Sequence, residues 1–221
     1  MDLATLIDGP AALIVGGGTV LATALRSGWA DCRITLHKLA GLGRRGFDYD
    51  HTRAELALQI QEIRRDGLLR AVPHHSGDAE FDEATDALIG RRSVSALLEA
   101  HEAHRSRRLA ESERAVCTLA QAAELAPVFG LAGTLVSLSQ LPIDGLGQGA
   151  VAGAIAMAVT TTLYGLLAAN FVLAPLARMI ERKAQAEEAL RQQVTDWLAT
   201  EVAAACTRLP PRAPGRAGTA A

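Results

Sequence analysis

From residue 115 to residue 177 the chain carries no lysine or arginine, and its only acids there are Glu124 and Asp144. All 22 basic residues lie outside this stretch, 15 between positions 26 and 114 and 7 between positions 178 and 216. A water-exposed helical segment of that length needs a polar face. A charge at the centre of a bilayer costs roughly 2.5–3.5 kcal/mol or more, so a long charge-free stretch is what lipid demands. The averages of 49% hydrophobic and 21% charged residues hide this partition. The expected fold class is therefore all-α: an integral membrane helical bundle with a helical cytoplasmic domain.

Three stretches are apolar enough to span. The first covers residues 6–25, LIDGPAALIVGGGTVLATAL, about the length needed to cross the ~30 Å hydrocarbon core. A secretory leader would carry basic residues ahead of the apolar run, and residues 1–9 contain none, so a retained helix is expected. The second runs over residues 119–141 and the third over residues 151–176. Between them PIDGLGQG, residues 142–149, is rich in turn formers and has no basic residue. The two stretches read as a transmembrane hairpin.

Basic residues favour the cytoplasmic side. Both basic blocks are then inside, the hairpin tip with Asp144 is outside, and the first span runs inward from an external N-terminus flanked by Asp2 and Asp8. The expected organisation is a first transmembrane helix at 1–27, a cytoplasmic helical domain at 28–115 and the hairpin, or channel domain, at 116–177. A cytoplasmic helical extension at 178–208 and a disordered Pro/Gly/Ala-rich tail at 209–221 follow. Within the middle domain Ala54, Leu56, Ile60 and Ile63 form a stripe near helical period. Residues 41–50 and 73–78 read as loops, and from Ser93 nothing clearly stops a helix before the second span.

Several function classes find no support in the residues. The net charge of −2 offers no basic field for nucleic acid. Cys32, Cys117 and Cys206 are odd in number and lack CxxC spacing, which reads as free thiols in a reducing compartment. Gly16-Gly17-Gly18-Thr19 lacks phosphate-loop spacing and instead suits close helix contact in lipid. His74 and His75 sit in a loop near Asp78 and Glu80 but have no companion Cys or spaced His pair, and His101 and His104 read as part of a charged helix face. Neither a metal site nor an enzyme is expected.

The informative polar groups are hydroxyls. Thr134, Ser137 and Ser139 lie in the second span; Thr160, Thr161, Thr162 and Tyr164 lie in the third. Successive helical residues turn by about 100°, so the three adjacent threonines cannot share a face. Hydroxyls can solvate a passing cation without a fixed charge, or they can simply bond back to the helix. Gly149, Ala150, Ala152, Gly153, Ala154 and Ala156 suit close helix packing and hence oligomerisation. Pro127 and Pro175 stand near one end of each hairpin arm, where proline opens a backbone hydrogen bond and can hinge the helix.

APVFGLAGTLVSL at 126–138, with AIAMAVTTTLYGLLAANFVLAPLA at 154–177, resembles the MotA/TolQ/ExbB proton channel family, and within it the MotA/PomA flagellar stator branch. The opening IDGPAALIVGGGTVLAT resembles that branch's second membrane helix, and IRRDGLL at 63–69 its cytoplasmic RRxGLLAL-type segment. The resemblance implies an all-helical subunit in an oligomeric ring, a pentamer, around two copies of a single-span MotB-like partner. That partner supplies the essential Asp and a peptidoglycan-binding domain. Transported H⁺ or Na⁺ is the only implied ion, with no cofactor. The residues expected to form the ion pathway are Thr134, Thr161, Thr162 and Tyr164, of which Thr134 and Thr162 match the family's pore-lining hydroxyls; the resemblance also implies coupling hinges at Pro127 and Pro175 and rotor-facing positions at Arg64 and Arg65. Gly149, Gly153 and Gly165 are the glycines expected at close helix contacts, and membrane lipid and a flagellar rotor protein complete the expected partners.

The sequence departs from that pattern twice. Stator proteins of the branch have four spans, whereas MDLATL runs straight into the second-helix pattern; a misplaced start and a natural short form are the two alternatives. The acidic cluster that normally follows the GLLAL-like segment is replaced by Arg70, Val72, Pro73, His74 and His75. The leading expectation is a stator-like A subunit that couples ion flow to flagellar rotation and motility. The alternatives are a TolQ/ExbB-like energy transducer for envelope processes and a non-conducting membrane scaffold. The threonines suit either cation.

Overall fold

A computed structural model describes residues 9–44, 46–66, 78–140 and 148–207. Every regular element among the described residues is helical: α1 Gly9–Ser27, α2 Trp29–Gly41, α3 Tyr49–Asp66, α4 Ala79–Arg91, α5 Val94–Ser139, α6 Gln148–Leu167, a π-helical turn Ala168–Leu173, and α7 Ala174–Thr207. Three helical stretches are long and apolar enough to cross a membrane: Gly9–Ser27, Val94–Ser139 and Val151–Ala204. The first of these falls within the expected first transmembrane helix, 1–27, whose opening residues 1–8 lie outside the described part. The hairpin tip with Asp144, the 73–77 loop with His74 and His75, and the tail from 208 also lie outside the described residues.

The chain divides into two compact units, Met1–Arg44 with Arg108–Gln185, and Arg45–Arg107 with Ala186–Ala221. This differs from a linear order of domains, because the second half of α7 belongs with α3 and α4 rather than standing as a separate extension.

In the first unit, α1 buries one stripe, Ala11, Val15, Thr19 and Thr23, at a spacing of four residues. The two threonines remain inside because each hydroxyl donates back to its own helix, to the carbonyls of Val15 and Thr19 at 2.6 and 2.7 Å. Gly28 at φ 82° breaks α1 from α2, a left-handed conformation that glycine adopts without a Cβ penalty. Helix α2 then packs Ile34, Leu39 and Leu42 around Ala115, Leu119, Ala177 and Ile180. Lys183 Nζ donates to the carbonyls of Gly41 and Arg44 at 2.6 and 2.9 Å, placing a cation on the exposed carbonyl end of α2.

The second unit is built on aliphatic side chains of α3, α4, α5 and α7: Leu56, Ile60, Leu88, Leu97, Val194, Leu198 and Val202 are all buried together with Phe81. Leu56 and Ile60 confirm half of the expected α3 stripe; Ala54 is exposed, and the side chain of Ile63 lies outside the described residues. Helix α4 starts at Asp78, whose carboxylate accepts from the backbone N–H groups of Glu80 and Phe81. It ends at Arg92, in the left-handed region at φ 54°.

Candidate functional site

Helices α5 and α6 cross through small residues. A Cβ on Gly165 would stand 2.6 Å from the Ala126 carbonyl oxygen and 3.1 Å from the Pro127 Cα. One on Gly130 would stand 3.0 Å from the Thr161 carbonyl oxygen, and one on Gly133 would stand 2.8 Å from the Thr161 Cβ. The backbones approach this closely only because those three positions carry no side chain. Gly18 serves α1 in the same way, since a Cβ there would enter the Phe129 ring.

This crossing orients the hydroxyls. Thr161 is completely buried and turned onto Gly133. Thr162, one residue on, lines an open cleft of about 470 Å³ together with Thr134. Leu138, Ile155, Ala158, Val159, Leu163 and Leu166 complete the cleft, so its two oxygens stand in hydrocarbon walls. Thr134 Oγ1 donates to the Leu131 carbonyl at 2.6 Å, and Thr162 Oγ1 donates to the Ala158 carbonyl at 3.2 Å. With each proton committed to its own helix, the oxygen lone pairs remain to accept from, or coordinate, a cation. The two readings of these hydroxyls, back-bonding and ion solvation, are therefore compatible.

Of the four residues read as an ion pathway, the structure brings Thr134 and Thr162 to one cleft. Thr161 is outside it, because the 100° step between neighbours aims it at α5. Tyr164 is half-buried and does not line the cleft. The glycines divide similarly: Gly149 and Gly153 open onto empty space, whereas Gly165 is used within the protomer. Gly130 and Gly133 escaped the sequence reading, although Ala126, Gly130 and Gly133 follow one another at helical spacing.

The prolines differ in kind. Pro127 lies inside an uninterrupted α5, where Gly165 approaches its Cα. Pro175 follows the π-helical turn, which closes with the Ala174 N–H on the Ala169 carbonyl, five residues back. Proline has no N–H to give and crowds the carbonyl four residues earlier, so a widened turn just ahead of it relieves that clash. Arg64 and Arg65 fall on the backbone of α3, but their side chains lie outside the described residues. His101 corrects its expected place on a charged face: it is buried against Phe81, with ring centroids 6.1 Å apart. His104 keeps its charged surroundings, with Nε2 3.0 Å from Glu83.

The sequence model of the MotA/TolQ/ExbB proton channel family matches residues 74–193. The chain is 31% identical over 158 residues to the uncharacterized protein YtxD of Bacillus subtilis, covering 67% of this chain and 52% of that one. It is 25% identical over 156 residues to motility protein A of Cereibacter sphaeroides, covering 69% of this chain and 60% of that protein. It thus spans only a little over half the length of these relatives. Among solved structures it resembles the flagellar MotAB stator complex of Bacillus subtilis, with a TM-score of 0.80 at 18% identity over 97% of this chain and 88% of that one. The MotAB structure of C. jejuni gives 0.78 at 17% identity, over 94% of this chain and 81% of that one.

Proposed function

The chain belongs to the MotA/TolQ/ExbB proton channel family, and we propose that it is the ring-forming A subunit of an ion-driven membrane motor, conducting H⁺ or Na⁺ together with a single-span B-type partner. The observation that carries this reading is the placement of Thr134 and Thr162, and no charged side chain, on one apolar-walled cleft between antiparallel spans. A dehydrating cation needs oxygens to replace its water. The two threonines supply some of them, and the partner's carboxylate, bearing the charge, supplies the rest. The π-helical turn before Pro175 is the compliant element through which ion transfer reaches α7. The apolar window of the third span is only 11% buried within one protomer, leaving a surface for lipid, for the partner and for neighbouring copies. The replacement of the acidic cluster at 70–75 favours a second reading, a motor that powers envelope processes rather than a flagellum.

Assembly tests the proposal directly. Gly149 and Gly153 face open space on α6, so we assign them to contacts between copies. Native mass spectrometry of the co-expressed pair should show a five-to-two complex. Gly153→Leu should break it into smaller species while helix content is retained. A wild-type monomer at every detergent concentration would count decisively against a ring.

Topology is tested separately. In a cysteine-free background, Asp144→Cys should react with a membrane-impermeant maleimide in intact cells, and Asp50→Cys only after permeabilisation. Labelling of position 50 from outside would overturn the proposed orientation, with both basic blocks in the cytoplasm.

A further inference from the structure

The second unit contains a buried ionisable group that ion conduction does not use. His101, on α5, is 6% exposed. From α4 it meets the Phe81 ring. From α7 it faces the Glu188 carboxylate, with Nε2 to Oε1 at 3.9 Å, together with Gln192 and Arg191. Its own helix contributes Glu102, and Arg105, whose Nε stands 3.8 Å from the same Glu188 oxygen. Around this group Arg191 is stacked on Phe47 and Phe81, at 4.5 and 5.7 Å from their centroids, and pairs with Asp78 at 2.7 Å. His104 lies one turn along α5, between Glu80 and Glu83.

Burial against the Phe81 ring favours an uncharged imidazole, while Glu188 and the Gln192 side chain pull the other way. His101 Nε2 is buried and has no hydrogen-bond partner among the described residues. As a bare lone pair it costs little more than its own desolvation. As an N–H of a cation it would be a buried charged donor 3.9 Å from its nearest carboxylate oxygen, beyond hydrogen-bonding reach. Closing that gap would pull Glu188 away from Arg105, or the ring away from Phe81.

We propose that His101 is a proton-operated release built into this unit: uncharged, it holds α4 and α7 against α5, and on protonation it loosens them. Acid on its side of the membrane then weakens the unit, which in an ion-driven motor would tie cytoplasmic acidification to the state of its cytoplasmic helices. That physiological sense rests on the function and orientation proposed above; the release itself does not.

Burial lowers the affinity of His101 for a proton below the ordinary value of 6.5, and it outweighs the opposing pull of Glu188, Gln192 and Glu102. The sign follows from linkage. The unfolded chain binds the proton more tightly, so the stabilisation is complete above pH 6.5 and is lost as pH falls through the depressed native value. Within that window up to one proton is taken up on opening, a change of at most about tenfold per pH unit.

Hydrogen exchange on the full-length protein in detergent tests this between about pH 7.5 and 5.5, where ordinary carboxylates stay ionised. Opening constants of amides in α4 and the second half of α7 should rise as pH falls below 6.5, with a slope of at most about tenfold per unit. His101→Gln, neutral at all these pH values, should flatten that dependence. A flat wild type, or an unchanged slope in His101→Gln, would overturn the release. Should the variant fail to fold, NMR of ¹³C-histidine-labelled wild type decides: a His101 midpoint below 6.5 is expected, and one at or above it overturns the proposal. Both readouts are independent of ion flux and of the partner.

Discussion

Thr162→Val should abolish most ion-dependent function, and Thr162→Ser should retain a substantial part of it, with the assembled complex present in both. Valine keeps the branched shape of threonine and removes its oxygen; serine keeps the oxygen and removes a methyl. The cleft that Thr162 shares with Thr134 has six aliphatic residues and no other hydroxyl, so nothing there can substitute for a lost ligand. A hydrogen bond to a charged group contributes about 1.5–3 kcal/mol, which predicts a fall of roughly ten- to a hundredfold in flux. Flux into partner-containing proteoliposomes is the measurement, or motility where the host is flagellated. Thr161→Val is the control: its side chain is fully buried on Gly133, outside the cleft, so it should alter stability more than conduction. Equal flux in wild type and Thr162→Val would remove Thr162 from the ion path and leave helix packing as its role.

The contrast between Thr161 and Thr162 shows where the sequence stops being informative. That adjacent threonines must diverge follows from the helical step alone. Which of them turns inward depends on where α5 lies, and that is decided by Gly130 and Gly133, whose lack of side chain carries no hydropathy signal. The spans themselves were legible because exclusion of charge from lipid is a strong one-dimensional signal; the helix α5, Val94–Ser139, also followed from the absence of any stop after Ser93. The partner of the last helix was less accessible. Val194, Leu198 and Val202 repeat every four residues, which identifies a buried stripe but not the α3 and α4 residues that bury it. His101 was misplaced for a related reason: its neighbours Glu102 and Arg105 are charged, and only the chain fold brings Phe81 over its ring. The π-helical turn was anticipated only as a local disturbance, since Pro175 explains why a hydrogen bond is lost but not how the helix redistributes the others.

Gly165→Ala should be among the most damaging single-methyl substitutions in the first unit. The added Cβ would stand 2.6 Å from the Ala126 carbonyl oxygen and 3.1 Å from the Pro127 Cα. Both obstacles are backbone, so no side-chain rotation relieves them; α5 and α6 must separate along the crossing. Separation also lifts Thr161 from Gly133 and widens the cleft that holds Thr134 and Thr162. Overpacking of this kind costs about 1–3 kcal/mol, and loss of the remaining close contacts adds to it. Gly17→Ala provides the reference, because a Cβ there meets nothing within 4 Å and alanine is the better helix former. Thermal unfolding in detergent, followed by helical circular dichroism, should show a clearly lower midpoint for Gly165→Ala and none of that loss for Gly17→Ala. Ion flux should fall with Gly165→Ala even in the fraction that remains assembled, since the two threonines no longer stand at their original spacing. An unchanged midpoint together with unchanged flux would mean that α5 and α6 do not meet at Gly165 in the working protein, and the cleft assigned to the ion would lose its wall.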